Sequence, residues 1–265
     1  MNIIVCIKQV PATTEVKMNT ETNTIIREGV ESIINPFDMY AIEEGLRIKE
    51  KKGGKVTVLS MGIPSVAELM REAISLGVDD AVLLSDRSFA GADTLATSYT
   101  LSKGIKKIGN YDLIICGKQA TDGDTAQVGP SLAEKLGIPH TTYVRKIEEI
   151  EDNYIRCQRL TDDGYEVVEM PLPALITVVK EINEPRLPSL KNMMRAKKAI
   201  ITIWNSDDIN ADKNLCGLKG SPTQVIKTFT PIHNIKSEFL EGTPENRQKS
   251  LPTNCCQCIL NRRFN

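Results

Sequence analysis

Continuous apolar runs separated by amphipathic stretches constrain the fold of this chain more than any other feature. Ile3-Ile4-Val5-Cys6-Ile7 lacks the in–out alternation of a strand with one wet face, so it reads as a strand covered on both sides. Residues 55–60, 81–84 and 113–116 repeat the theme. Helical patterns lie between them. Residues 40–51 place Ile42 and Leu46 four apart, with Glu43 and Arg47 set to pair. Ser65 and Glu68 have the spacing of a capping box opening a helix through Leu76. Residues 93–108 put Leu101, Ile105 and Ile108 on one face. Strand–helix alternation up to residue 137 predicts an α/β fold, a doubly wound, mainly parallel sheet with helices on both faces.

The pattern changes after residue 140. Residues 141–148 and 154–160 are strand-like and predict an antiparallel extension, with Asp162-Asp163-Gly164 as a hairpin turn rather than an acid/base pair. Pro171 and Pro173 argue against a central strand before the buried run 174–179. From Asp207 periodicity is lost, apart from a short helix signalled by Thr243-Pro244. The expected organisation is a nucleotide-binding α/β domain over 1–205 and a C-terminal arm over 206–265. The arm is too thin for its own core, and packs on a partner subunit or on its own domain.

Bulk properties exclude several classes. Of 265 residues, 41% are hydrophobic and 25% charged, enough to bury a core, and the net charge of −1 gives no long-range attraction to nucleic acid or anionic lipid. No apolar run has the length of a membrane span. The chain enters a strand directly, leaving no room for a leader, so a cytoplasmic location is expected. The seven cysteines then read as reduced thiols, with Cys6 and Cys116 as buried packing residues. Cys255, Cys256 and Cys258 need Cys216 or His233 to complete a structural zinc set, and no metal is expected. The histidines, His140 and His233, have no nucleophile close in sequence, and no catalytic side chain is assigned.

The stretch GKQATDGDTAQVGP, 117–130, leaves the strand 113–116 and opens a helix over 131–136. Such a loop presents unpaired N–H groups at the positive end of a helix, which suits a phosphate. The candidate residues are Gly117, Ala120, Thr121, Asp122, Gly123, Asp124, Thr125, Ala126, Gln127, Val128, Gly129, Pro130 and Ser131. Gly117 and Gly123 permit close approach, Asp124 or Thr125 is a candidate helix cap, and Gln127 and Asn35 offer amides to an adenine edge or ribose. Cys6, Met61 and the segment Asn35-Pro36-Phe37-Asp38 emerge at the same sheet edge. Asp122 and Asp124 oppose a simple phosphate cradle, and an ordinary strand-to-helix turn is the competing reading. Neither G-x-x-x-x-G-K-[ST] nor G-x-G-x-x-G occurs, so neither a triphosphatase nor a standard dinucleotide fold is indicated.

Taken together, the segments 5–11, 35–38, 117–130, 159–166, 173–177 and 183–186 resemble the beta subunit of electron-transfer flavoproteins over about residues 1–200. Cys157 and the cysteine-rich ending depart from the family pattern. The resemblance implies a Rossmann-like, adenine-nucleotide-binding fold, an alpha-subunit partner, and a nucleotide at Cys6, Asn35, Phe37, Asp38, Met61 and the loop through Ser131. Housekeeping members of that family hold AMP and bifurcating members a second FAD. The small Gly123, Thr125 and Ala126 look like the bifurcating form, so FAD is expected, with AMP as the alternative. The implied function is to accept electrons from NADH and bifurcate them toward ferredoxin or flavodoxin and, through the alpha-subunit FAD, an acyl-CoA dehydrogenase or enoyl-CoA reductase. By the same resemblance, Leu187, Leu190, Asn192, Met193 and Met194 belong to a partner-recognition loop. Read from the residues alone, 187–198 is a basic amphipathic helix covering the core, and too small a footprint for nucleic acid. Alternatives from other classes are a universal-stress-type ATP-binding regulatory protein, needing no alpha partner, and a hydrolase using Cys116 or His140.

Overall fold

The computed structural model describes residues 1–12 and 31–226, together with the backbone of 18–19 and 24–25. The first half runs β1 (Asn2–Cys6), β2 (Gln9–Pro11), β3 (Met18–Asn19), β4 (Thr24–Ile25), β5 (Ser32–Ile34), α1 (Pro36–Lys52), β6 (Lys55–Met61), α2 (Val66–Leu76), β7 (Asp80–Leu84) and α3 (Thr94–Ile108). The second half runs β8 (Leu113–Gly117), α4 (Val128–Leu136), β9 (His140–Ile150), β10 (Tyr154–Thr161), β11 (Gly164–Pro171), β12 (Ala174–Val178), α5 (Leu190–Lys198) and β13 (Thr202–Trp204). Among the described residues, nine strands form one sheet in the order β11-β10-β9-β12-β8-β1-β6-β7-β13. Every pairing from β9 to β13 in that order is parallel, and the β9-β10-β11 end is antiparallel.

Alternate residues of the central strands feed two cores, as expected for strands covered on both faces. Ile3 and Val5 of β1 pack with Ile42 and Leu46 of α1, with Leu69 and Met70 of α2 and with Ala196 of α5. Ile4 and Cys6 pack on the other face with Leu101 and Ile105 of α3 and Leu132 of α4. Ile3, Ile4 and Val5 are all but fully buried, each contributing about 2 kcal/mol.

Two helix starts differ from the sequence reading. Ser65 makes no capping bond. The amides of Val66, Ala67 and Glu68 are already taken by the carbonyls of Ile63, Pro64 and Ser65, and Glu68 pairs with Arg71 instead. Neither Asp124 nor Thr125 caps α4, whose N-cap is Gln127 without a side-chain bond. A turn closed by Asp124 N–H to Ala120 O, with positive φ at Asp124 and Ala126, delays the helix. The antiparallel extension and its turn at 162–163 form as expected, and β11 with Pro171 is the outermost strand.

Residues 1–226 form one compact unit. Within it Ile209 and Cys216 are buried beside α3, and the amide and hydroxyl of Ser206 donate to Asp86. The readings made for Thr243-Pro244, His233 and the cysteines at 255, 256 and 258 lie outside the described residues.

Candidate functional site

The crossovers diverge between β1 and β8. The helix after β1 lies on one face of the sheet and the helix after β8 on the other, leaving a crevice beyond the carboxyl ends of these neighbouring parallel strands. Three chain segments meet there, and Asp38 in one of them joins the other two. Asp38 stands in the first turn of α1. Its Oδ2 accepts the N–H of Lys8, just past β1, at 2.7 Å, and its Oδ1 accepts the N–H of Gly117, the last residue of β8, at 3.2 Å. Burial pushes this carboxyl up to about 7, against the N–H groups of Lys8 and Gly117, the Asn35 side chain and the Lys8 charge, all of which favour ionisation.

Asn35 braces the loop further along. Its Nδ2 donates to Gln119 O at 2.8 Å and its Oδ1 accepts from Thr121 N–H at 3.2 Å, while its own N–H bonds Lys8 O. Both ends of the amide are therefore engaged in shaping the loop, which is why α1 lacks a side-chain cap. Lys8 Nζ reaches Asp122 at 2.6 Å, giving that carboxylate a cation from 114 residues away. Lys118 stands with its ammonium over the rings of Tyr143 (5.1 Å) and Phe37 (6.0 Å).

Beyond these braces the loop is open. Residues 121–125 are exposed. The N–H groups of Thr125, Ala126, Gln127, Val128 and Gly129 meet no acceptor among the described residues. A Cβ built on Gly123 meets nothing within 4 Å, whereas one on Gly117 falls 2.3 Å from Asp38 Oδ1. Gly129 lets α4 approach β12, since a Cβ there falls 2.5 Å from Thr177. The Ser131 hydroxyl bonds that of Ser98 at 2.7 Å, joining α4 to α3. A row of amides at a helix start that meet no acceptor among the described residues, in a loop with open space at Gly123, is a donor set that fits the phosphates of a nucleotide.

Cys6 and Cys116 are register partners on β1 and β8 and both are buried. Their mutual hydrogen bond, then burial, pushes the Cys116 thiol well above its ordinary value, which makes it a poor nucleophile. Met61 ends β6, on the far side of β1.

The family description "Electron transfer flavoprotein domain" matches residues 22–209, well over half of the chain. The chain belongs to the electron transfer flavoprotein family. It is 53% identical to the electron transfer flavoprotein subunit beta of Thermoanaerobacterium thermosaccharolyticum, over 95% of this chain and 96% of that protein. It is 51% identical to the caffeyl-CoA reductase-Etf complex subunit CarD of Acetobacterium woodii, over 93% and 94% of the two chains. It is 45% identical to the protein FixA of Azorhizobium caulinodans, over 87% and 85%.

Among the described residues of this electron transfer flavoprotein chain, an exposed apolar strip runs from Leu187 into α5. Leu187 is 89% and Leu190 81% exposed, with Met193 and Met194 on the same short helix α5, while Asn192 is partly covered. Lys191, Arg195, Lys197 and Lys198 edge the strip. Sequence reasoning missed the roles of Lys8 and Tyr143, and saw in Glu43 only its pairing with Arg47, not its link to Arg186. Lys8 and Glu43 act through contacts more than 100 residues distant, and Tyr143 sits at a positive φ of 58° that no neighbouring residue signals.

Proposed function

We propose that the crevice holds the adenine nucleotide of an electron transfer flavoprotein beta subunit, and that this nucleotide is FAD. The observation that carries the reading is the run of five amides, Thr125 to Gly129, that meet no acceptor among the described residues, in the same loop as the unobstructed Gly123. A diphosphate uses more such donors than a monophosphate does. The residues assigned to hold it are Cys6, Asn35, Phe37, Asp38 and Met61, Gly117, and the loop from Ala120 to Ser131. Within that set Asp38 and Asn35 fix the loop, and Lys8 offsets the charge of Asp122.

The proposed role is that of one subunit of a cytoplasmic heterodimer with an electron transfer flavoprotein alpha subunit. The heterodimer takes electrons from NADH and divides them between ferredoxin or flavodoxin and an acyl-CoA dehydrogenase or enoyl-CoA reductase. Similarity to the subunit of a caffeyl-CoA reductase-Etf complex supports this bifurcating form. When bound, FAD supplies the redox chemistry, accepting hydride and releasing single electrons; the protein binds it, orients it and tunes it. The exposed strip at Leu187, Leu190, Met193 and Met194, with Asn192 beside it, is assigned to docking the acyl-CoA dehydrogenase or reductase. Apolar anchors ringed by cations suit a transient, charge-guided contact.

The test is to denature the purified heterodimer and count what it releases. Two FAD per heterodimer are expected. One FAD and one AMP would instead make this a non-bifurcating carrier with a structural AMP.

A further inference from the structure

Side-chain hydrogen bonds fasten the start of segment 183–189 to α1. Arg186 carries most of the fastening. Its backbone N–H and its Nε both donate to Glu43 Oε2, at 3.2 and 2.7 Å, and its Nη2 donates to Glu43 Oε1 at 3.2 Å. The other side of the guanidinium reaches both oxygens of Glu50. Glu43 is 4% exposed. Burial alone would raise its carboxyl, but hydrogen bonds from Arg186 and Arg47 outweigh it and hold the group below the ordinary carboxylate value. Asn183 adds bonds to Tyr40 O (3.0 Å) and Glu44 (2.9 Å), and Arg47 bonds Glu184 O.

The side chains that follow point away from the protein. Leu187 and Leu190 are among its most exposed large apolar residues. At the far end of the strip, Arg195 Nη2 bonds Val78 O at 2.6 Å and Ile74 O at 3.1 Å, pinning α5 to α2. The exposed residues are thus held between two arginine anchors, with Pro188 restricting the backbone between them.

We infer that Arg186 is a positioning residue for partner docking: by forking across Glu43 and Glu50 it holds Leu187, Leu190, Met193 and Met194 in the arrangement a partner's apolar socket meets. The inference rests on the reading of this strip as a docking surface. Fixing the strip before encounter removes ordering entropy from the association step, which lowers the cost of binding without adding a contact. A planar five-donor fork is what spans two carboxylates at once; an ammonium on a flexible stem does not. The socket that fits is apolar and edged with carboxylates, complementary to Lys191, Lys197 and Lys198.

The test uses the whole heterodimer with its own nucleotides and an acyl-CoA dehydrogenase as the electron acceptor. KM for the dehydrogenase and kcat are measured for wild type, Arg186→Lys, Glu50→Gln and Leu190→Ala, with hydrogen exchange over 187–194. Arg186→Lys raises KM about 10-fold with kcat within about twofold. Glu50→Gln, which removes only the exposed arm of the fork and so folds whatever becomes of the buried arm, raises KM about threefold. Both speed exchange over 187–194 and leave the released nucleotides unchanged. Leu190→Ala examines the docking surface by itself. If it raises KM while Arg186→Lys and Glu50→Gln do not, the role of Arg186 is overturned and the docking surface stands. An unchanged KM in Leu190→Ala overturns the docking surface and this inference with it. A raised KM in the fork variants without faster exchange also overturns the inference, because Arg186 then touches the partner directly.

Discussion

Asp38 is the residue on which the crevice turns. Its two oxygens hold the ends of β1 and β8 through N–H groups that belong to segments 30 and 79 residues away. Burial pushes its pKa up from an unfolded value near 3.8 to about 7, so the fold keeps a proton that the unfolded chain releases. That preference stabilises the protein fully below about pH 4 and is lost as pH rises through 7. Between pH 5 and 8 the change amounts to about 3 kcal/mol. Asp38→Asn cannot ionise and retains one acceptor oxygen. Urea unfolding at the two pH values should therefore give wild type a fall about 3 kcal/mol larger than the variant's; equal falls would place the group's pKa near the ordinary value. Two glycines of the same loop make a second comparison. Gly117→Ala sets a methyl 2.3 Å from Asp38 Oδ1 and 2.7 Å from the Phe37 carbonyl carbon, at a cost of about 1–3 kcal/mol. Gly123→Ala meets nothing within 4 Å and shifts stability by less than about 1 kcal/mol. Under the proposed function both weaken nucleotide retention, the first by moving the braces and the second by filling the open space. Melting temperature paired with retained nucleotide separates the two effects.

At the scale of elements, what the sequence made legible is what local periodicity encodes. The strand around Val5, the α1 face at Ile42 and Leu46, and the α3 face at Leu101 and Ile105 all follow from residues within four positions of one another. The failures have the same cause seen from the other side. Ser65 and Glu68 carry the right letters for a capping box, but the three preceding carbonyls had already claimed the amides. Asp124 carries a good capping side chain, but a left-handed backbone turns the chain before α4 begins. The loop itself was legible as a strand-to-helix connection with small residues. Its bracing was not, because Asn35 meets Gln119 and Thr121 across 84 and 86 positions. That brace yields an expectation. Asn35→Ala removes two bonds from an almost fully buried amide and costs about 1–3 kcal/mol. The loss concentrates in the loop, so amides over 117–124 should exchange faster while those of α3 and β6 keep their wild-type rates. Uniform acceleration across the domain would mean that Asn35 supports the core rather than the loop.

Taken whole, the molecule is nearly neutral, with 33 lysines and arginines against 34 aspartates and glutamates. Its long-range field therefore guides nothing, and any steering of a partner comes from local clustering. One such cluster beside exposed apolar surface is formed by Lys191, Arg195, Lys197 and Lys198 around Leu187, Leu190 and Met194. A cluster of that size acts over about 10 Å at 0.1 M salt and about 3 Å at 1 M. Under the proposed function it accelerates encounter with an acyl-CoA dehydrogenase without changing the electron-transfer step that follows. Raising salt from 0.05 to 0.5 M should therefore lower kcat/KM for an acyl-CoA dehydrogenase about 10-fold, with kcat nearly constant. Arg195 is engaged with the carbonyls of Ile74 and Val78, so the lysines are the residues to change. Lys191→Glu with Lys198→Glu, both on exposed positions, should lower kcat/KM at low salt and flatten its salt dependence, while leaving the melting temperature within about 2 °C. A salt response as steep in the double variant as in wild type would move the steering charge elsewhere on the surface, and Leu190 would then be buried by a partner that arrives without electrostatic guidance.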